Sequence, residues 1–226
     1  MKKISNPSIL YFGTPVVLIG TNNADGSYNL APISSIFWLG WRAVIGISAY
    51  SQTTHNLLRT GECTLNLPSV VQVDAVNRLA LTTGADPVPE AKRLRGYRFE
   101  SRKFEIAGLT PRSGEVVGAP LVEECPVSME TKLIVADSVA KESQVMRGRI
   151  LKIELKVVRV HLAESIIMDG QPDRVDPDKW RPLIMSFQEF YGLGEKAHFS
   201  TLGTVPERLY RTPDAEEAAA HALLEQ

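Results

Sequence analysis

Apolar and polar residues alternate along several short runs of the chain, the two-residue period of strands with one buried face. Thr14 to Thr21 (TPVVLIGT) is a β-branched run that ends at Asn22-Asn23-Ala24-Asp25-Gly26. Asp-Gly between apolar runs predicts a hairpin, because glycine accepts the positive φ of a tight turn. Ser27 to Ile36 is then the returning strand, and Arg42 to Ser48 (RAVIGIS) the third of a meander. At Thr53 to Thr60 the period changes to that of a short helix with a hydroxyl N-cap, Leu57 and Leu58 turned inward, and Gly61 placed to end it. Glu62 to Leu67 returns as a strand that sets Cys63, Leu65 and Leu67 against Thr64 and Asn66.

Val73, Val76, Leu79 and Ala80 recur at helical spacing, which predicts a helix within Val70 to Thr83. From Asp86 to Pro120 the prolines at 87, 89, 111 and 120 break any regular pattern, leaving a short helix (Glu90 to Arg95) and a surface excursion. Two long strands follow, Val127 to Val135 and Arg149 to Leu162, joined by a loop from Lys141 to Gly148. In the second, Leu151, Ile153, Leu155 and Val157 alternate with charged residues; at Val157-Val158 the alternation flips, and Val158, Val160 and Leu162 continue it. Such a shift predicts a bulge, as barrel closure requires. The remainder reads as a helix near Asp178 to Met185, an aromatic segment (Phe187, Phe190, Tyr191, Phe199) and a C-terminal helix with Thr212 as N-cap and Pro213 first. Strands with short turns and one long closing strand predict a mainly β fold with added helices (α+β), a small barrel rather than a parallel βαβ sheet.

Composition adds bounds. At 226 residues the chain fits one elaborated domain or two small ones. A net charge of −1 argues against nucleic acid or an anionic membrane as main partner. No apolar run approaches the roughly 20 residues of a bilayer span, and Ser5, Asn6, Ser8 and the prolines interrupt any signal-peptide core. Cys63 and Cys125 form no C-x-x-C pair, which fits reduced thiols in a cytoplasmic protein.

The side chains able to do chemistry collect at two turns, Ser34-Ser35 and Ser51-Gln52-Thr53-Thr54-His55-Asn56. The second opens a helix, and hydroxyls ahead of a helix start make an anion site, because the first amides lack partners and carry the positive end of the dipole. Gly192-Leu193-Gly194-Glu195-Lys196-Ala197 imitates a dinucleotide-binding glycine motif but follows no strand of a βαβ unit, so it reads as a turn. Glu195 and His198 are half of a di-iron spacing whose other half is missing, and the four histidines show no zinc spacing, so no metal site is expected. The run Lys92-Arg93-Leu94-Arg95-Gly96-Tyr97-Arg98, continuing to Arg102-Lys103, reads first as a solvated face and second as a contact for a nicotinamide phosphate.

One set of features carries a resemblance. A strand ending in Asn29 leads to Ser34-Ser35-Ile36-Phe37, then Thr54 and Asn56-Leu57 at the helix start, Gly61-Glu62 and Leu65-Asn66-Leu67. Further on stand Ala119-Pro120-Leu121, Glu124-Cys125-Pro126-Val127 with Glu130, and Gly148-Arg149-Ile150. In this order, over residues 10 to 165, they resemble the flavin-reductase-like, FMN-binding split-barrel family. The resemblance implies a split β-barrel of Greek-key-like antiparallel strands over 1–168, with 169–226 as a helical and aromatic extension packed on the same domain. It implies FMN with its ring and ribityl chain along Asn29, Ala31, Ser34 and Ser35, its phosphate at Ser51, Thr53 and Thr54, and Asn56 as a further cofactor-binding residue. Family members often carry Lys or Arg before that threonine; here Gln52-Thr53 stands there, which leaves the charge to amides, hydroxyls, His55 or a distant Arg. The implied activity is hydride transfer from NADH or NADPH to FMN and on to a small-molecule acceptor, in a homodimer. Phe190, Tyr191 and His198 are the candidates for touching ring or substrate, Tyr191 and His198 also for a catalytic role. The other readings are an FMN carrier without turnover, and a split barrel holding heme or a deazaflavin.

Overall fold

A computed structural model describes residues 1–224. The chain begins with β1 (Phe12–Pro15), β2 (Val17–Asn22), β3 (Tyr28–Ile33), β4 (Ile36–Leu39) and β5 (Arg42–Ser48), then α1 (Gln52–Thr60) and β6 (Glu62–Leu67). An irregular middle holds α2 (Val73–Leu79), β7 (Thr82–Thr83), α3 (Glu90–Arg93), β8 (Arg98–Phe99), α4 (Lys103–Ala107), β9 (Pro111–Arg112) and β10 (Leu121–Val122). The long strands β11 (Val127–Ser138) and β12 (Ile150–Leu162) precede the short β13 (Ile167–Met168), β14 (Gln171–Val175), β15 (Ile184–Ser186) and β16 (Glu189–Tyr191), and α5 (Pro213–Leu224) comes last. Among the described residues no helix is long and apolar enough to cross a membrane.

The largest sheet is antiparallel, in the order β3-β2-β6-β11-β12-β5-β4. Its two edge strands, β3 and β4, are consecutive in the chain and separated only by Ser34 and Ser35. The sheet must therefore curl until its edges approach, and the Gly46 N–H bond to the Ser35 carbonyl (2.8 Å) carries the β4–β5 ladder up to the turn between those edges. This corrects the reading of Ser27 to Ile36 as one strand: at Ser34-Ser35 the chain leaves its partner β2 for β5. The expected shift in β12 is present, since Glu130 pairs with Arg159 and Thr131 with Val157, leaving Val158 as the bulged residue.

Alternation sorts the side chains into two cores. Val17, Ile19, Ile45, Leu65, Ile153 and Leu155 fill the barrel with Leu57 of α1. Val16, Leu18 and Leu30 point outward and pack under α2 and α4 against Val76, Leu79 and Phe104. Gly20 lies where the 113–120 loop crosses the barrel; a Cβ there would stand 2.2 Å from the Pro120 carbonyl oxygen. The loop is hung on Glu130, which accepts from the amides of Glu115 (3.0 Å), Val116 (2.7 Å) and Val117 (2.8 Å) and bonds His161 Nε2 (2.7 Å).

Three local expectations are corrected. Asp178 to Met185 is not a helix but a turn followed by β15, because Pro182 removes a helical donor and the open edge of β1 offers a ladder. Leu58 is 49% exposed: on a helix of nine residues only the face with Leu57 meets the barrel. The helix expected over Val70 to Thr83 is a 3-10 turn (Val70–Gln72) plus α2, and it stops before Leu81, which takes a left-handed φ of 54°. The C-terminal helix starts at Pro213 as expected, but it is the Thr212 carbonyl, not its hydroxyl, that takes helix amides (those of Ala215 and Glu216). It rests on β12 through Asp214, which pairs with Arg42 (2.6 Å) and Lys156 (3.5 Å).

Candidate functional site

The barrel's split end carries a cleft with two unlike halves. Its apolar floor is Ala31, Pro32 and Ile33 of β3 with Ile47 of β5. Its polar end is framed by Ser51, Gln52 and Thr53 on one side and by Thr82, Thr83, Gly84, Lys92, Tyr97 and Lys103 on the other.

The first side is set by α1. Ser51 caps the helix, its Oγ accepting the Thr54 N–H at 3.1 Å, and Gly61 closes the other end with φ 75° and an N–H bond to the Leu57 carbonyl. The amides of Gln52 and Thr53, at the first two helical positions, have no acceptor within the helix and lie at the dipole's positive end. Asn29 Nδ2 donates to the Thr53 hydroxyl (3.0 Å), so that oxygen is occupied as an acceptor and its proton is left to donate toward the cleft. The Thr54 hydroxyl points elsewhere: it donates to the Ser48 carbonyl at 2.8 Å. Asn56 is likewise structural, donating to Thr21 Oγ1 (3.0 Å) and Asn23 Oδ1 (2.9 Å).

The second side supplies charge. A parallel ribbon of β7 and β8 pairs Thr82 with Arg98 and Thr83 with Phe99, which brings the basic run against the loop after α2. Lys103 is 2% exposed, and its Nζ donates to Thr82 Oγ1 at 2.8 Å; Lys92 Nζ donates to Thr83 Oγ1 at 3.1 Å. Neither amine has a carboxylate ion-pair partner among the described residues. Burial, with the Lys92 charge beside it, pushes the Lys103 amine down to about 8, and burial followed by Arg95 lowers Lys92 as well. Two desolvated, unpaired ammonium groups facing a helix start form a site for an anion of matching charge. Gly84 lets this side close in, since a Cβ there would stand 2.6 Å from Asn29 Oδ1.

Of the residues singled out from sequence, the cleft therefore gathers Asn29, Ala31, Ser51 and Thr53. Ser34 and Ser35 lie at the split, outside its lining, and Thr54 and Asn56 stand behind it. His55 is exposed. Tyr191 is 56% exposed on β16, and His198 is exposed with its Nδ1 toward the Phe199 carbonyl; neither lines the cleft. Thr82 and Thr83 escaped the sequence reading, and the run holding Lys92, Tyr97 and Lys103 was read first as a solvated face; its Arg93, Arg95, Arg98 and Arg102 are exposed while the two lysines turn inward. Glu115, Glu130 and His161 come together within 4.8 Å, but Glu130 is committed to the loop amides and Glu115 to Arg159. Burial pushes the Cys63 thiol up to about 12 and raises Cys125 too, which makes both poor nucleophiles.

Comparisons with known proteins agree with this architecture. Residues 9–194 match the family model described as the flavin reductase like domain. A Bacillus subtilis protein, the uncharacterized YdfE, is 33% identical over 190 residues, covering 84% of this chain and 88% of that protein. The flavoredoxin of Desulfovibrio vulgaris superposes with a TM-score of 0.71 at 24% identity, covering 89% of this chain and 98% of its own. A protein with a split barrel domain from Shewanella frigidimarina gives 0.63 at 20% identity, over 83% and 86%. The fold is that of the split-barrel flavin reductases, and the chain belongs to the family of the flavin reductase like domain.

Proposed function

We propose that the protein is an FMN-dependent oxidoreductase that takes hydride from NADH or NADPH and passes it to a small-molecule acceptor. The observation that supports this most is the pair Lys92 and Lys103, desolvated and without carboxylate partners, facing the free amides of α1. A phosphate monoester carries about two negative charges at neutral pH, which two ammonium groups match. The apolar floor of Ala31, Pro32, Ile33 and Ile47 beside it suits a flat heteroaromatic ring. Polar anchor and apolar bed together fit FMN.

When bound, the flavin supplies the hydride chemistry. The chain's part is to bind, orient and shield. Thr53 donates its hydroxyl proton toward the anion, and the Gln52 and Thr53 amides add the dipole's field. Lys103 and Lys92 neutralise the phosphate, held in place by Thr82 and Thr83. Asn29, fixed between Thr21 (3.2 Å) and Thr53, ties the floor of the cleft to the helix start. Pro32 and Ile33 keep water from the floor.

The same reading takes the protein as a cytoplasmic homodimer. Two buried free thiols support a reducing compartment, and the exposed Phe37 and Leu39 on edge strand β4 support a covering subunit. The test is to titrate the purified protein with FMN and FAD, then add NADH or NADPH anaerobically. The expected result is tighter binding of FMN and bleaching of its visible absorbance by a dinucleotide. Tight binding without bleaching by either dinucleotide would make the protein a carrier, and no flavin binding would end the reading.

A further inference from the structure

The basic run that gives Lys92 and Lys103 to the wall opposite α1 carries one more cation without a carboxylate partner among the described residues. Arg93, Arg98 and Arg102 each stand within 4.0 Å of a carboxylate, those of Glu90, Glu100 and Glu105. Arg95 has no such partner among the described residues. It is held instead by its Nε bond to the Ala91 carbonyl (3.0 Å) and by the Tyr97 ring, 5.5 Å from its guanidinium carbon. That ring lines the cleft, and Lys92 Nζ lies 5.5 Å from the same centroid. A guanidinium so fixed lies against a ring of the cleft lining, and its terminal N–H groups have no partner among the described residues, which suits a phosphate.

Leu81 belongs to the cleft lining itself. It takes a φ of 54°, a region costly for a branched side chain, yet its side chain is 50% exposed and lines the cleft. The Arg98 N–H bond to the Leu81 carbonyl (3.0 Å) ties this strained residue to the ribbon that carries Tyr97 and Arg95. Core packing does not explain a strained, half-exposed leucine; an apolar contact for a ligand does. An apolar lining residue tied through Arg98 to the segment that carries a fixed, unpaired guanidinium matches an adenosine that bears a phosphate on its ribose. That phosphate is what distinguishes NADPH from NADH.

We propose that Arg95, together with Leu81 of the cleft lining, forms a subsite for the 2′-phosphoadenosine end of the electron donor and makes the protein select NADPH over NADH. The proposal rests on the oxidoreductase reading above and concerns residues other than those assigned to the flavin phosphate.

The experiment uses FMN-saturated protein and two probes, 2′,5′-ADP and 5′-AMP, titrated into the wild type, Arg95→Ala and Leu81→Gly. The wild type should bind 2′,5′-ADP about ten- to a hundredfold tighter than 5′-AMP, as a charge-assisted contact gives. Arg95→Ala should bring the two within about twofold without changing FMN affinity. Leu81→Gly should weaken both probes equally while leaving thermal stability unchanged or higher, since glycine relieves the strain. Equal binding of the probes to the wild type, or equal loss of both in Arg95→Ala, would overturn the proposal. Leu81→Gly that gains stability and keeps both affinities would remove Leu81 from it. The turnover arm separates this proposal from its premise. If neither dinucleotide is oxidised while the probes still discriminate, the oxidoreductase reading fails and the subsite stands. If both are oxidised and Arg95→Ala leaves the ratio of their kcat/KM values unchanged, the subsite fails and the oxidoreductase reading stands.

Discussion

Lys103 reaches the Thr82 hydroxyl at 2.8 Å from inside the protein, and Thr82 passes its own proton to the Leu79 carbonyl at 2.7 Å. The amine is thus fixed in place with two N–H groups left over, and its charge is answered by no carboxylate within ion-pair distance among the described residues. Without a ligand that arrangement costs stability.

The cost has a pH signature. Burial lowers the folded pKa of Lys103 from 10.5 to about 8, so between those values the unfolded chain binds more protons than the folded one, and stability must rise with pH. Ligand-free protein should therefore gain about 1–3 kcal/mol between pH 8 and pH 10 relative to Lys103→Met, which lacks the titrating group. Below pH 8 the Met variant should be as stable as the wild type or more so, while its FMN affinity falls at least about tenfold. Denaturant melts across that range decide it; parallel pH curves for the two proteins would sink the assignment.

Thr53 and Thr54 are neighbours with different work. Thr54→Ala breaks the bond to the Ser48 carbonyl and loosens Ser51, and should cost about 1–3 kcal/mol of stability with a lesser effect on flavin binding. Thr53→Ala should do the reverse, weakening FMN about tenfold at a stability cost of about 1 kcal/mol or less, since Asn29 keeps its bond to Thr21. Fluorescence titration beside urea unfolding separates the two, and the opposite ranking would refute this division.

Glu130 sets the acid limit of the fold. Burial pushes its pKa up, but the His161 bond and the three loop amides outweigh burial and hold it at about 2. A carboxyl depressed in the folded state adds stability above its unfolded pKa and loses it as pH falls toward 2. Glu130→Gln should abolish that part of the acid transition and cost about 3–5 kcal/mol at neutral pH, because its amide would turn donors toward donors. An acid-unfolding curve unchanged by the substitution would count against the carboxylate as its cause.

The register of β12 makes a fourth prediction. Leu155 is fully buried and Lys152 exposed, so Leu155→Ala should cost about 2–5 kcal/mol. Lys152→Ala should cost under about 0.5 kcal/mol. Similar shifts in the urea midpoint for both would contradict the register.

Much of the barrel was legible because its signals are local. The alternation along β12, broken at Val158, announced both the strand and its bulge, and Ser51 and Gly61 marked the ends of α1. The helix start was legible as an anion site for the same reason. The cations that complete it were not, because Lys92 and Lys103 reach it only through the pairing of Thr82-Thr83 with Arg98-Phe99. On the sequence alone they sit in a run whose other charges do face solvent. The turn and strand from Asp178 to Ser186 were read as a helix for a related reason: their ladder partner is β1, near the start of the chain.

The loop over β2 is suspended from Glu130 by its peptide groups, and only Glu115 among its side chains adds an ion pair, to Arg159. A carboxylate that grips main-chain amides does not read the letters of the segment it grips. Apart from Gly114, where a Cβ would crowd the Val117 carbonyl and that carboxylate, Gly118, where one would stand 3.0 Å from Glu62 Oε1, and the buried Val117, the segment is free to change its spelling while keeping its path. Sequence drift is therefore expected to gather at Ser113, Glu115 and Val116, and exchanging those three together should be carried without harm to the barrel beneath.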